Sequence, residues 1–202
     1  MSNLGKIQFW FSVGSTYTYL TVSRLTEVEV ASGISFEWRP FSVRAIMVEQ
    51  NNIPFQGKPI KSDYMWRDIE RRAGKYRLPV SVPAPYPFKE FDLANRVAVL
   101  GTQEGWCAKY VQGTYRRWFV GGLEAGSEPN LSQSIVEAGQ DPSRVIAAAN
   151  SEAIGAAYEA ATREAISLNV FGAPTFNVCG EIFWGDDRLE DAIAWYQHGK
   201  LD

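Results

Sequence analysis

The chain has 202 residues, 46% of them hydrophobic and 21% charged, the balance of a soluble globular protein; intrinsic disorder and fibrous repeats are excluded, and the length suits one core with an elaboration. Lys plus Arg number 20 against 23 Asp plus Glu, a net charge of −3, which argues against non-specific binding to nucleic acid or to an anionic membrane. The one histidine is His198, and the two cysteines, Cys107 and Cys179, form no Cys-x-x-Cys pair and no zinc spacing, so histidine base catalysis, a redox dithiol and a metal site are not expected.

In chain order, Ile7-Gln8-Phe9-Trp10-Phe11 is aromatic and β-favouring. It is short, contains Gln and meets no small-residue cleavage site, so it reads as a strand rather than a signal peptide. No run approaches the roughly 20 apolar residues that span a bilayer. The expected location is the cytoplasm, with both cysteines reduced and packed inside. Gly14-Ser15 then interrupts, before Tyr17, Leu20, Leu25 and Val28 take up helical spacing. Ser15 stands where an N-cap belongs, Gly33 where a helix ends, and a second strand over 34–38 is stopped by Pro40. From about 41 to 168 the β signal disappears. Helices are predicted over 63–73, 92–101, 107–120, 143–149 and 152–168, with loops over 79–87 and 121–130. The last helix carries Ile154, Tyr158, Ala161, Ala165 and Leu168 along one face. Strands over 174–179 and 181–184 then flank Gly180 as a hairpin, and Leu189, Ile193 and Tyr196 define a closing helix.

Without its helical block the chain reads βαβ followed by ββα, an α/β arrangement with the order of a thioredoxin-like core and a large all-helical insertion. The expected division is a discontinuous core, 1–41 with 169–202, and an inserted helical domain, 42–168.

Two features could carry chemistry. A hydroxyl at the first turn of a helix, Ser15, lies beside unpaired N–H groups that favour an anion such as a thiolate; it is equally an ordinary N-cap. Pro174 in Gly172-Ala173-Pro174-Thr175-Phe176 opens a strand where it cannot donate to a ladder, and in a thioredoxin-like context it is expected to be cis and to face Ser15. The segment 63–72 mixes Arg with aromatic residues, but Asp63, Asp68 and Glu70 nearly cancel its charge, so it reads as a solvated helix face.

The chain resembles the glutathione-dependent 2-hydroxychromene-2-carboxylate isomerases and their relatives, the kappa-class glutathione transferases, with a DsbA-like thioredoxin fold. The resemblance rests on Phe9-x-Phe11 with Ser15-x-Tyr17-x-Tyr19-Leu20, Trp38-Arg39-Pro40-Phe41, Asn52-x-Pro54 with Lys61-x-x-Tyr64, Gly172-x-Pro174-Thr175-Phe176, and Phe183-Trp184-Gly185-Asp186-Asp187-Arg188-Leu189. It implies glutathione as cofactor, with Ser15 holding the sulfur as the catalytic residue and Asn52, Lys61 and Tyr64 contacting the tripeptide or substrate. It further implies that Ala173, before Pro174, offers its backbone to the cysteinyl unit, and that Asp186, Asp187 and Arg188 meet the γ-glutamyl end. Glutathione carries two carboxylates and one ammonium, so it needs both cations and an acid.

The implied reaction interconverts 2-hydroxychromene-2-carboxylate and trans-o-hydroxybenzylidenepyruvate by reversible thiolate addition. Trp38, Tyr64, Tyr86 and Trp184 are candidates to line a pocket for that aromatic acid, and equally candidates for core. Three positions depart from the family pattern: Thr16 for proline, Ala173 for a larger aliphatic residue, and Asp186 for Ser, Asn or Gln, the last adding negative charge near the γ-glutamyl carboxylate. Glutathione transfer or peroxide reduction is the alternative activity, and a non-catalytic peptide-binding thioredoxin fold the alternative class. Ser15 and Thr18 replace both sulfurs of a dithiol oxidoreductase. Small-molecule partners are expected, and formation of a homodimer is left open.

Overall fold

Strand β1 (Ile7–Phe11) lies inside a four-stranded mixed sheet of order β2-β1-β3-β4. It runs parallel to β2 (Phe36–Pro40) and antiparallel to β3 (Thr175–Val178), which pairs in turn with β4 (Glu181–Trp184). The computed structural model describes residues 6–201 other than 54, 56 and 88, so Pro54 of the Asn52-x-Pro54 motif lies outside the described residues. Period-2 alternation puts Ile7, Phe9 and Phe11 on one face, in register with Phe36 and Trp38 of β2 and Phe176 of β3. Their rings form a continuous aromatic layer: Phe9 lies 5.1 Å from Trp38 and 5.6 Å from Phe176, centroid to centroid.

Between β1 and β2 the single expected helix is two, α1 (Thr18–Val22) and α2 (Leu25–Ser32), broken where the Arg24 amide closes a tight turn onto the Thr21 carbonyl at 3.0 Å. Gly33 ends α2 at φ 70°, as expected. β2 starts and ends two residues later than predicted. Pro40 can be included because β2 is an edge strand, with Phe11 as its register partner.

Seven helices among the described residues separate β2 from β3: α3 (Val43–Glu49), α4 (Pro59–Tyr76), α5 (Phe91–Glu104), α6 (Cys107–Phe119), α7 (Asn130–Glu137), α8 (Pro142–Ala149) and α9 (Glu152–Ser167). The sequence reading had no place for α3 and α7. Ser42 caps α3 by accepting from the Ala45 amide at 3.2 Å, and Asp141 and Ser151 cap α8 and α9 in the same way. Helices α5 and α9 pack on β2, while α10 (Leu189–His198), reached through a 3-10 turn at Asp186–Arg188, packs on β3 and β4. The β3–β4 hairpin turns at Cys179 and Gly180, φ 54° and 97°, so both residues are left-handed, as a two-residue hairpin turn requires. Cys179 is therefore exposed, contrary to the expectation that both thiols are packed inside; Cys107 is buried. No helix among the described residues is long and apolar enough to cross a membrane.

Candidate active site

After Phe11 the chain leaves the sheet and makes a turn in which the Ser15 amide donates to the Ser12 carbonyl at 3.0 Å, with Gly14 at φ 120°. Helix α1 does not begin at Ser15. It starts at Thr18 behind Tyr17, with no side-chain cap, and the Ser15 hydroxyl is engaged elsewhere. It donates to the Ala173 carbonyl at 2.7 Å. The expectation of Ser15 as an N-cap is thus corrected: the hydroxyl is a link between the turn and the entrance to β3.

That entrance is tightly built. The Ala173-Pro174 peptide is cis, as expected. The Pro174 carbonyl accepts from the Gly185 amide at 2.9 Å, and the Thr175 hydroxyl donates to the Gly172 carbonyl at 2.8 Å. A Cβ at Gly172 would meet Nε1 of the Trp184 indole, so the glycine lets the indole lie over the backbone. The Trp184 indole, edge-on to Phe171 at 4.9 Å and more than half exposed, overlies the residue before Ala173. Ser15, Ala173, Pro174 and Trp184 are therefore brought together.

Helix α4 supplies the facing wall. Met65, Asp68 and Arg72 recur at helical spacing and each meets a residue of the core. The Thr16 hydroxyl donates to Sδ of Met65 at 3.0 Å, and the Tyr17 hydroxyl to Asp68 at 3.1 Å. Arg72 donates through Nε and Nη2 to one oxygen of Asp186, at 3.0 and 2.7 Å. Lys61 and Tyr64 continue this stripe one turn earlier and are exposed, bordering a concavity of about 610 Å³ with Ile60 and Lys58. Lys61 Nζ stands 5.9 Å from the Phe55 ring, which is edge-on to Tyr86 at 6.1 Å; Trp66 flanks Tyr86 at 6.0 Å. Tyr86 thus joins an aromatic cluster beside Lys61. Asn52 is exposed just beyond α3, its amide donating to the Met47 carbonyl at 2.8 Å.

Trp38 belongs elsewhere. Its half-buried ring stands edge-on to Phe9 and Phe11 in the aromatic layer of the sheet, which favours the core alternative of the two that the sequence offered. A larger cleft of about 730 Å³, between α3 and the end of α9, includes Phe171 and Asn169 but not Ser15; size alone does not mark the site.

The electrostatics at the 3-10 turn differ from the sequence expectation. Asp186 is buried and turned toward Arg72, so its charge is met inside the protein instead of lying open toward a bound carboxylate. Burial pushes its carboxyl up to about 6 although Arg72 and Arg24 pull the other way. Asp187 and Arg188 are exposed and pair with each other at 3.4 Å; Arg188 also meets Asp191 at 2.7 Å. Burial, and next the Asp68 carboxylate, hold the Tyr17 phenol well above its usual range, so it remains a neutral donor. Sequence alone gives Arg72, Asp68 and Tyr17 no role at the site, although Tyr17 stands in the Ser15-x-Tyr17 motif and Asp68 in the 63–72 segment; the 65, 68, 72 spacing within α4 is the available signal.

The groups that could hold a tripeptide thiol with two carboxylates and one ammonium are the Ser15 hydroxyl and the Ala173 carbonyl bonded to it, the cations Lys61 and Arg188, and the acid Asp187, which pairs with Arg188. No cluster of three or more His, Cys, Asp or Glu side chains that could hold a metal ion occurs among the described residues.

The family model of the DSBA-like thioredoxin domain matches residues 6–194. Over 186 residues the chain is 27% identical to 2-hydroxychromene-2-carboxylate isomerase of Sphingobium xenophagum, covering 91% of this chain and 94% of that protein. It is 24% identical over 202 residues to glutathione S-transferase kappa 1 of Caenorhabditis elegans, covering 94% and 89%. The solved structure of a 2-hydroxychromene-2-carboxylate isomerase superposes with a TM-score of 0.85 at 24% identity, over 96% of this chain and 97% of that one.

Proposed function

Because the chain belongs to the family of DSBA-like thioredoxin domains, we propose that it is a glutathione-dependent isomerase of an aromatic acid, interconverting 2-hydroxychromene-2-carboxylate and trans-o-hydroxybenzylidenepyruvate or a close analogue. The observation that carries this reading is the 2.7 Å bond from the Ser15 hydroxyl to the Ala173 carbonyl. It presents one donor and one acceptor side by side where a disulfide exchanger of this fold would need a thiol, and neither position 15 nor position 18 is Cys. The similarity to isomerases in sequence and to a kappa-class transferase supports the same choice.

Bound glutathione would supply a thiolate able to add to, and leave, an alkene conjugated with a carbonyl. Ser15 would donate its proton toward the sulfur, and the Ala173 carbonyl, released from Ser15, would accept the N–H of the cysteinyl unit. Lys61 and Arg188 would hold the carboxylates and Asp187 the ammonium, with Asn52 and Tyr64 at the rim. Asp186 would act from inside the turn, through Arg72, rather than by direct contact. Tyr86 and Trp184 offer aromatic surface to the substrate ring. Residues 42–168 form, in this reading, an inserted domain that closes the groove over the core, and two unpaired cysteines fit a reducing cytoplasm.

The test is an assay of the purified protein on the chromene acid and on a generic electrophile, with and without glutathione. Isomerisation that requires glutathione while leaving total thiol constant is expected. Consumption of thiol would replace this reading by the transferase one, and absence of turnover with any substrate by a binding protein.

A further inference from the structure

Once β1 has left the sheet, residues 12–15 receive their hydrogen bonds from two side chains of the helical segment. Asn95, on α5, is wholly buried and uses its whole amide. Its Oδ1 accepts from the Val13 amide at 2.7 Å and from the Ser12 hydroxyl at 3.4 Å; its Nδ2 donates to the carbonyls of Val13 at 2.9 Å and Phe91 at 2.8 Å. The two bonds to Val13 reproduce what a neighbouring strand would offer, at a point where no strand is present. Tyr115, on α6, is also wholly buried. It shares its phenolic proton between the carbonyls of Ser12 at 3.1 Å and Ser15 at 3.0 Å. Its ring is packed beside Trp118 and Phe119, so this donor has no freedom to follow the turn if the turn moves.

Buried polar side chains are costly unless every group is satisfied, and apolar residues would fill the same space. Here both converge on the four residues that end at Ser15, from helices that never touch Ala173 through these groups. We propose that Asn95 and Tyr115 are positioning residues for Ser15: they fix the turn from the helical side so that the Ser15 hydroxyl meets the Ala173 carbonyl, and thereby set where the sulfur of a bound thiol is met. The second half of this inference rests on the reading of Ser15 as the sulfur-binding group; the first half does not.

Tyr115→Phe removes the shared proton and keeps the ring, and Asn95→Leu tests the second clamp in a separate protein. Hydrogen–deuterium exchange without ligand reads the geometry: in Tyr115→Phe the Ser15 amide should exchange about tenfold faster while the amides of β1 and α10 keep their protection. With glutathione, kcat should fall by about 10- to 100-fold, the scale of a 1 Å misplacement, with KM for glutathione changed less than about threefold, since Lys61 and Arg188 are untouched. Unchanged exchange at Ser15, or a uniform rise across the fold with kcat preserved, would overturn the proposal. Should the wild-type protein show no glutathione-dependent turnover, the functional reading falls, and the exchange comparison alone decides the positioning claim. Should Asn95→Leu fail to fold, Tyr115→Phe decides it.

Discussion

The Ser15 hydroxyl reaches the Ala173 carbonyl at 2.7 Å across 158 positions of sequence. A hydroxyl has a single proton, so in the proposed function its donation to a sulfur would release that carbonyl at the same moment, and the two groups would exchange partners together.

The first prediction concerns Ser15→Ala. A thiol of pKa about 8.5 is roughly 3% ionised at pH 7, and lowering it by about two units raises that to roughly 75%. Reduced nucleophilicity at a Brønsted slope of about 0.4–0.5 leaves a net advantage of only about three- to fourfold. Aim must supply the rest, so Ser15→Ala should lose at least about 100-fold in kcat at pH 7, as removal of a preorganised donor does. A pH-rate profile to pH 9 should restore only part of it. Complete recovery at pH 9 would mean that the hydroxyl sets ionisation and nothing else.

Lys61 is exposed, and its charge is available on the stripe that faces the core. Calorimetric titration should show glutathione binding weakened about tenfold in Lys61→Ala, with the difference shrinking at high salt. Arg67→Ala, on the same helix but paired with Glu70, is the control and should bind as the wild type does. Equal loss in both would make the effect one of net charge.

Asp186 predicts a pH dependence of stability. Its carboxyl is pushed up to about 6 by burial, and the same group in the unfolded chain lies near 3.9. The folded state then binds the proton more tightly, so this contribution is full below about pH 4 and is lost as pH rises through about 6. Relative to Asp186→Asn, the wild type should lose about 1 kcal/mol between pH 5 and pH 7 in urea denaturation. A difference independent of pH would show that Arg72, with Arg24 nearby, offsets the burial entirely.

Gly172→Ala places a methyl group against Nε1 of the Trp184 indole. Overpacking of this kind costs about 1–3 kcal/mol, toward the low end here because the indole can swing outward. In the Trp184→Ala background the same substitution should cost nothing further. A penalty equal in both backgrounds would place its cause in the backbone.

The elements that were legible from sequence share a cause: each had a long period or a sharp stop. The aromatic, β-favouring run of β1, the Gly33 terminator and the hairpin around Gly180 are local signals. Helices α3 and α7 have seven and eight residues, about two turns, which leaves little room for a periodic stripe, although α8, with eight, is predicted. The split of α1 from α2 depends on a single closing bond at Arg24. At the site, Ser15 and Pro174 were reachable through their motifs. Arg72 and Tyr115 were not, because their partners lie 114 and 100 positions away, and an arginine or a tyrosine on an amphipathic helix has many ordinary uses. Trp38 shows the converse: an aromatic residue beside a motif reads equally as pocket wall or core, and only its neighbours Phe9 and Phe11 on the sheet favour the core.

The strand order β2-β1-β3-β4 also bears on how the chain is made. Strand β1 leaves the ribosome before β2 and finds it within some thirty residues, yet its other edge waits for residues 175–178. Throughout the synthesis of seven helices, Ile7–Phe11 keeps one row of amides and carbonyls open, on a segment rich in aromatic residues and free of charge. A chain halted before β3 is thus a template for strand addition by its neighbours, and protection against aggregation arrives only when residue 178 has been added.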